Sequence, residues 1–141
     1  MIRRMQLISG ADALRLTGGS DLRRALEARL RRLHGRPGFV IAGIGSLSIA
    51  RIRFADRTQP ARLVGPFEIL TLSGTLSRDG SHLHITIADR DGRVRAGHVA
   101  SGCIVHTTAE ILVATIKGRR FNRRYDSATG YRELFVRRAT P

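Results

Sequence analysis

With 141 residues, 42% of them hydrophobic, the chain fits a single domain, 1–141, around one core. Its longest apolar run, GFVIAGIGSLSIA at 38–50, ends at Arg51, well short of the roughly 20 residues a membrane-spanning helix needs, so no membrane partner is expected. Twenty-five basic against 11 acidic residues give a net charge of +14, which attracts polyanions and makes nucleic acid the first partner to consider.

All of the basic residues but Lys117 are arginine, and aromatics are only 5% with no tryptophan, which disfavours a base-stacking platform for single strands. The basic start MIRRMQLISG runs into Asp12 and Arg15 rather than into the unbroken apolar stretch of a signal peptide. A cytoplasmic location is therefore expected. The lone Cys103 agrees, having no partner for an internal disulfide, and it sits beside a strand-like run with no evident activating base to make it a nucleophile.

In chain order, ADALRL (11–16) alternates as a strand, and SDLRRALEARLRRLHG follows as the one clear helix. Ser20 reads as its N-cap with Asp21 in the first turn. Leu22, Leu26, Leu30 and Leu33 recur at helical spacing, and His34, Gly35 and Pro37 end it. The opposite face, with Arg23, Arg24, Arg31 and Arg32, reads as a solvated surface more readily than as a DNA-reading helix. HGRPG (34–38) contains the core tripeptide of an AT-hook, but it lies at the helix stop, where a minor-groove arm would not be free.

GFVIAG (38–43) and SIARIRF (48–54) read as strands, and GIGS between them fails as a dinucleotide fingerprint because a strand follows where a helix is required. PFEILTLSGTLS (66–77), HLHITIA (82–88), RVRAGHV (93–99), AEILVATI (109–116) and RELFVRR (132–138) complete the strand candidates. The turn segments DSATG (126–130), Asp79-Gly80 and Asp91-Gly92 punctuate them. The expected fold is α+β: a largely antiparallel sheet of about seven strands with one main N-terminal helix packed on it.

Three of the five histidines fall between 82 and 98. In HLHITIA, His82 and His84 share the non-core face while Leu83, Ile85 and Ile87 point inward. Side chains at i and i+2 of a strand are near enough to reach one ion, and His98 on the return strand is the candidate third ligand. Parity opposes it. A two-residue Asp-Gly turn would aim His98 at the core, so either the loop spans Asp89 to Arg93, placing His98 opposite His84, or Gly97 forms a bulge. Three imidazoles without thiolates suit zinc or another divalent first-row metal. The alternative is three exposed sheet histidines.

The segments ALRLTGGSDLRRAL (13–26), GFVIAGIGSLSIARIRF (38–54), GPFEILTLSGTLS (65–77), HLHITIADRDGRVRAGHVASGCIV (82–105), TAEI (108–111) and DSATGYRELFV (126–136) resemble, in order, the plant-and-prokaryote conserved (PPC) domain. The resemblance implies a compact α+β domain assembling as a homotrimer, of the stand-alone bacterial type without an AT-hook. Some such relatives hold a metal through three histidines, at the positions that His82, His84 and His98 match.

The leading expectation is thus a homotrimeric DNA-binding or regulatory module with a three-histidine metal site. Phosphate contacts would come from Arg3, Arg4, Arg23, Arg24, Arg31, Arg32, Arg119, Arg120, Arg123 and Arg124. The rival is a metal-dependent hydrolase or lyase using a zinc-bound water, with Glu68 or Glu110 as general base.

Overall fold

The computed structural model describes residues 8–32 and 36–139; Arg3, Arg4, Leu33, His34 and Gly35, named above, lie outside the described residues. Strand β1 (Ile8–Thr17) leads to the helix α1 (Leu22–Arg32), and then come β2 (Gly38–Arg53), β3 (Ala61–Ser77), β4 (Gly80–Ala88), β5 (Val94–Val99) and β6 (Ile104–Ile116). These six strands form one antiparallel sheet in the order β1-β6-β2-β3-β4-β5. The far edge does not stay free: β5 pairs with the end of β2 as well as with β4, through Ile52 with Val99 and Arg53 with His98. The sheet thereby curls back on the long strand β2.

The expectation of one sheet of about seven strands is corrected on two counts. Segments 38–43 and 48–54 are one continuous strand, and RRFNRRYD forms a further strand, β7 (Arg119–Asp126), which pairs with β8 (Tyr131–Arg138) as a separate two-stranded sheet. Among the described residues the fold is largely β with a single helix. β7 escaped the pattern because only Phe121 of its eight residues is buried, so it shows no alternation between apolar and polar faces. A hairpin alone is marginal in water. Here Phe121 anchors it edge-on to Phe39 of β2, with ring centroids 5.7 Å apart.

Helix α1 lies across β3, β4 and β6 with Leu22, Leu26 and Leu30 buried, against Leu76, Leu83, Ile85, Val105 and other core residues. Burying such a leucine side chain contributes about 1.5–3 kcal/mol. The N-cap is Asp21, not Ser20. Asp21 Oδ1 accepts from the Arg24 amide at 3.1 Å, while Oδ2 accepts from the Gly102 amide at 2.8 Å. Ser20 is occupied as strand-like backbone, its carbonyl accepting from the Val105 amide. Two ties fix the helix further: Arg29 pairs with Asp12 of β1, and Glu27 Oε1 accepts from Arg23 Nε and from the amide and hydroxyl of Ser81. No helix among the described residues is long and apolar enough to cross a membrane.

Two glycines mark close approaches of strands. At Gly45, inside GIGS, a Cβ would strike the Thr108 carbonyl oxygen, so this pattern serves the passage of β6 and not a nucleotide. At Gly97 a Cβ would lie 2.6 Å from Ile52 Cγ2 and 2.7 Å from the Arg53 carbonyl oxygen. That contact is with backbone on one side, so it cannot relax cheaply. Replacing Gly97 by alanine is expected to cost about 1–3 kcal/mol, read as a lower midpoint in urea denaturation, with the damage centred on the β5–β2 pairing.

Candidate metal centre

Of the two ways to resolve the parity of His98, the longer loop is found. Ala88 pairs with Val94 and His84 with His98 in an unbroken register, leaving Asp89 to Arg93 as a five-residue connection. The loop closes on Asp89, whose amide donates to the Arg93 carbonyl and whose Oδ1 accepts from the amides of Asp91 and Arg93 at 3.0 and 2.9 Å. The Arg93 amide, foremost among these, holds the Asp89 carboxyl below its usual range. Gly97 is not a bulge; it lets β5 lie flat against β2.

His84, His98 and His82 consequently project from neighbouring strands on one face, while Leu83, Ile85 and Ile87 are buried beneath them. Nε2 of His82 stands 3.1 Å from Nε2 of His84 and 3.2 Å from Nδ1 of His98, and one ligand atom from each ring lies within 4.8 Å of the others. Nitrogens sharing one tetrahedral zinc sit about 3.3 Å apart, given Zn–N distances near 2.0–2.1 Å. The donor set therefore fits a small divalent ion. A proton on one ring satisfies one of these contacts and leaves another nitrogen lone pair facing a neighbour, whereas a central cation satisfies all three.

Two of the rings, His82 and His98, are kept neutral. Burial, then the charge of Arg123, then the neighbouring histidines push His82 from 6.5 down to about 4; burial and then Arg53 lower His98. Neutral imidazole is the form that binds metal. Each cation is placed by the fold: Arg53 is the register partner of His98, and Arg123 Nη2 donates to Thr75 Oγ1 at 2.7 Å, Thr75 being the register partner of His82. Beside the triad opens a cavity of about 630 Å³ whose walls include His82, His98, Arg53, Arg123, Tyr131 and Glu133.

The carboxylates named from sequence are elsewhere. Glu68 is exposed opposite Ala88, four residues along β4 from His84 and so about 13 Å away at roughly 3.3 Å per residue. Glu110 is exposed on β6 between Arg15 and Ile44. The carboxylates on the cavity wall are Asp56, Asp79 and Glu133, of which the sequence marked Asp79 only as a turn residue and Glu133 only as part of a strand. Arg53 likewise carried no local signal, since its place depends on a pairing between strands far apart in sequence. Cys103 is buried, its thiol pushed up by burial and tied to the backbone of Arg51.

The arginines proposed as phosphate contacts divide. Arg23 is half-buried and spent on Glu27, the Val99 carbonyl and the Ser81 carbonyl, and Arg123 on Thr75. Arg24, Arg31, Arg32, Arg120 and Arg124 are exposed, Arg124 lying 4.1 Å above the Phe135 ring. Arg119 and Arg120 join Lys117 and Arg137 around a cleft of about 790 Å³ at the base of the β7–β8 hairpin.

Comparison with known proteins gives a consistent picture. Over 131 residues the chain is 47% identical to the bifunctional protein GlmU of a Synechococcus species, covering 91% of this chain but 21% of the relative; the chain thus spans about a fifth of that protein's length. Among solved structures, a hypothetical protein of Salmonella enterica superposes with a TM-score of 0.92 at 30% identity, over 98% of this chain and 100% of that one. A metal-containing protein from Archaeoglobus fulgidus gives a TM-score of 0.78 at 27% identity, over 95% and 99%. The family model of the Plants and Prokaryotes Conserved (PCC) domain matches residues 9–117. With more than half of its length under that model, and with the sheet and helix described above filling the matched span, the chain belongs to the PCC domain family.

Proposed function

We propose that this chain is a metal-binding regulatory module in which His82, His84 and His98 hold zinc or another divalent first-row metal. The convergence of their three nitrogens carries the reading. A relative described as metal-containing, at 27% identity over nearly the full length, supports it. Held by three imidazoles, such an ion supplies a Lewis acid with open positions. The chain's own residues supply the rest: the β4–β5 register aims the rings, burial and Arg123 keep His82 unprotonated, and the exposure of His84 leaves a route in from solvent.

The module is proposed to act as a homotrimer. Support comes from the sheet face turned away from α1, where Ile44 is 56% and Leu112 39% exposed, with Ala13 and Ala42 flanking Leu112 in register. Adjacent apolar side chains left in water across three strands favour burial against a second copy. Glu68 and Glu110 are exposed beside this patch, which makes them interface residues in this reading rather than general bases. DNA contact is proposed through phosphates alone, at the cleft of Lys117, Arg119, Arg120 and Arg137, whose lining among the described residues includes no carboxylate.

Elemental analysis of untagged protein is expected to find one divalent ion per chain in the parent and none in His84→Ala; a parent free of metal after zinc dialysis overturns the site. Ile44→Asp is expected to shift the sedimenting species from trimer to monomer, and a parent that sediments as a monomer rules the assembly out. In metal-free protein, an NMR titration of the His82 ring should have its midpoint near pH 4. Because that value lies below the 6.5 of an unfolded histidine, the associated stability is full above pH 6.5 and is lost as pH falls towards 4. A midpoint at 6.5 would contradict the burial and the Arg123 contact invoked here.

A further inference from the structure

Histidines that bind metal usually back onto carboxylates or carbonyl groups. Here the fold sets a guanidinium beside two of the three. Arg53 meets His98 across the β2–β5 pairing, and Arg123, fixed by Thr75, stands next to His82; both are half-buried. A third guanidinium, that of Arg132, donates to the Arg123 carbonyl at 2.9 Å on the wall of the same cavity. Three carboxylates share the wall with them, and Arg123 and Arg132 act on Asp79 and Glu133 on His82, so the fixed charges there are close to balanced. Asp79 accepts from the Arg123 amide at 2.7 Å, Glu133 accepts from the Thr129 hydroxyl at 3.0 Å, and Asp56 is exposed.

A divalent cation held by three imidazoles, which bring no charge of their own, adds two positive charges directly beside Arg53 and Arg123, and like charges at short range in a half-buried place are costly. An anion bound between the ion and these two arginines relieves that cost. The cavity fits a molecule rather than a single halide: its volume is about 630 Å³, within the range of small-molecule sites, and Ala55, Pro60, Ala100 and Tyr131 give it an apolar side. Guanidinium groups pair with carboxylates in planar, two-pronged fashion.

We infer that the cavity between the three histidines and the β7–β8 hairpin binds a small organic acid, its carboxylate taken by Arg53 and Arg123 and its apolar body by Pro60 and Tyr131. This rests on the three-histidine reading, to which it adds the class of ligand. Binding of the acid and of the metal are then coupled, each strengthening the other by the same factor.

Calorimetric titration of the full chain with zinc at pH 7 tests this, with benzoate as the probe, benzamide as its neutral counterpart and acetate as the carboxylate without a body. Saturating benzoate is expected to lower the zinc Kd about tenfold, a coupling of the usual size between linked sites, while benzamide changes nothing and acetate less than benzoate. In the double variant Arg53→Gln/Arg123→Gln, zinc is expected to bind more tightly than to the parent without any acid, and the benzoate effect to vanish. Arg53→Gln alone, whose side chain gives up one hydrogen bond to the Arg57 carbonyl, carries the same test at half strength should the double variant misfold. Zinc bound by the parent with equal affinity in benzoate and benzamide overturns the organic-acid site and leaves the metal reading standing. Acetate matching benzoate overturns the apolar body. No zinc uptake by the parent overturns both readings.

Discussion

The pairing of β5 with two strands at once is the constraint on which the candidate site turns. Through β4 it sets His98 opposite His84; through the end of β2 it sets Arg53 beside His98. Neither contact alone would converge three rings and a guanidinium. Both need β5 to lie flat against backbone, which only the missing side chain of Gly97 permits. The hydrophobic layer beneath fixes the rest: Leu83, Ile85 and Ile87 are buried to about 1% exposure, so β4 cannot slip by one residue without exchanging its inner row for His82, His84 and Thr86.

Much of this was legible in the sequence wherever a period or a turn residue reported directly on burial. The leucines at 22, 26 and 30 named the helix, and the alternation of 82–88 assigned each side chain to its face. His98 was named with its parity problem, and the solution hung on the loop from Asp89 to Arg93, one of two options that local chemistry left equal. What was not legible had one of two causes. β7 is too exposed to show a period, and Ser20 looked like a cap until its backbone was found committed to Val105. Arg53, Arg123 and Glu133 owe their places to contacts across dozens of residues, which no window of sequence encodes.

Charge makes a second theme. A chain of +14 would ordinarily place its cations in water, yet several are built into the fold: Arg23 holds the helix to the β3–β4 turn and to Val99, and Arg123 fastens the hairpin to β3. Net charge therefore overstates what is free to meet a polyanion. Part of what is left over lines the cleft of Lys117, Arg119, Arg120 and Arg137, and the rest is spread over other exposed arginines such as Arg24, Arg31, Arg62 and Arg95.

The family match stops at residue 117, and the β7–β8 hairpin begins at Arg119. All three imidazoles and Arg53 belong to the matched span; Arg123, Tyr131, Arg132 and Glu133 come from the hairpin that follows it. Division of labour follows from that boundary. The core sheet holds the triad while the ribbon supplies part of the outer wall, so substitutions on the ribbon would alter what is admitted without touching what holds the ion.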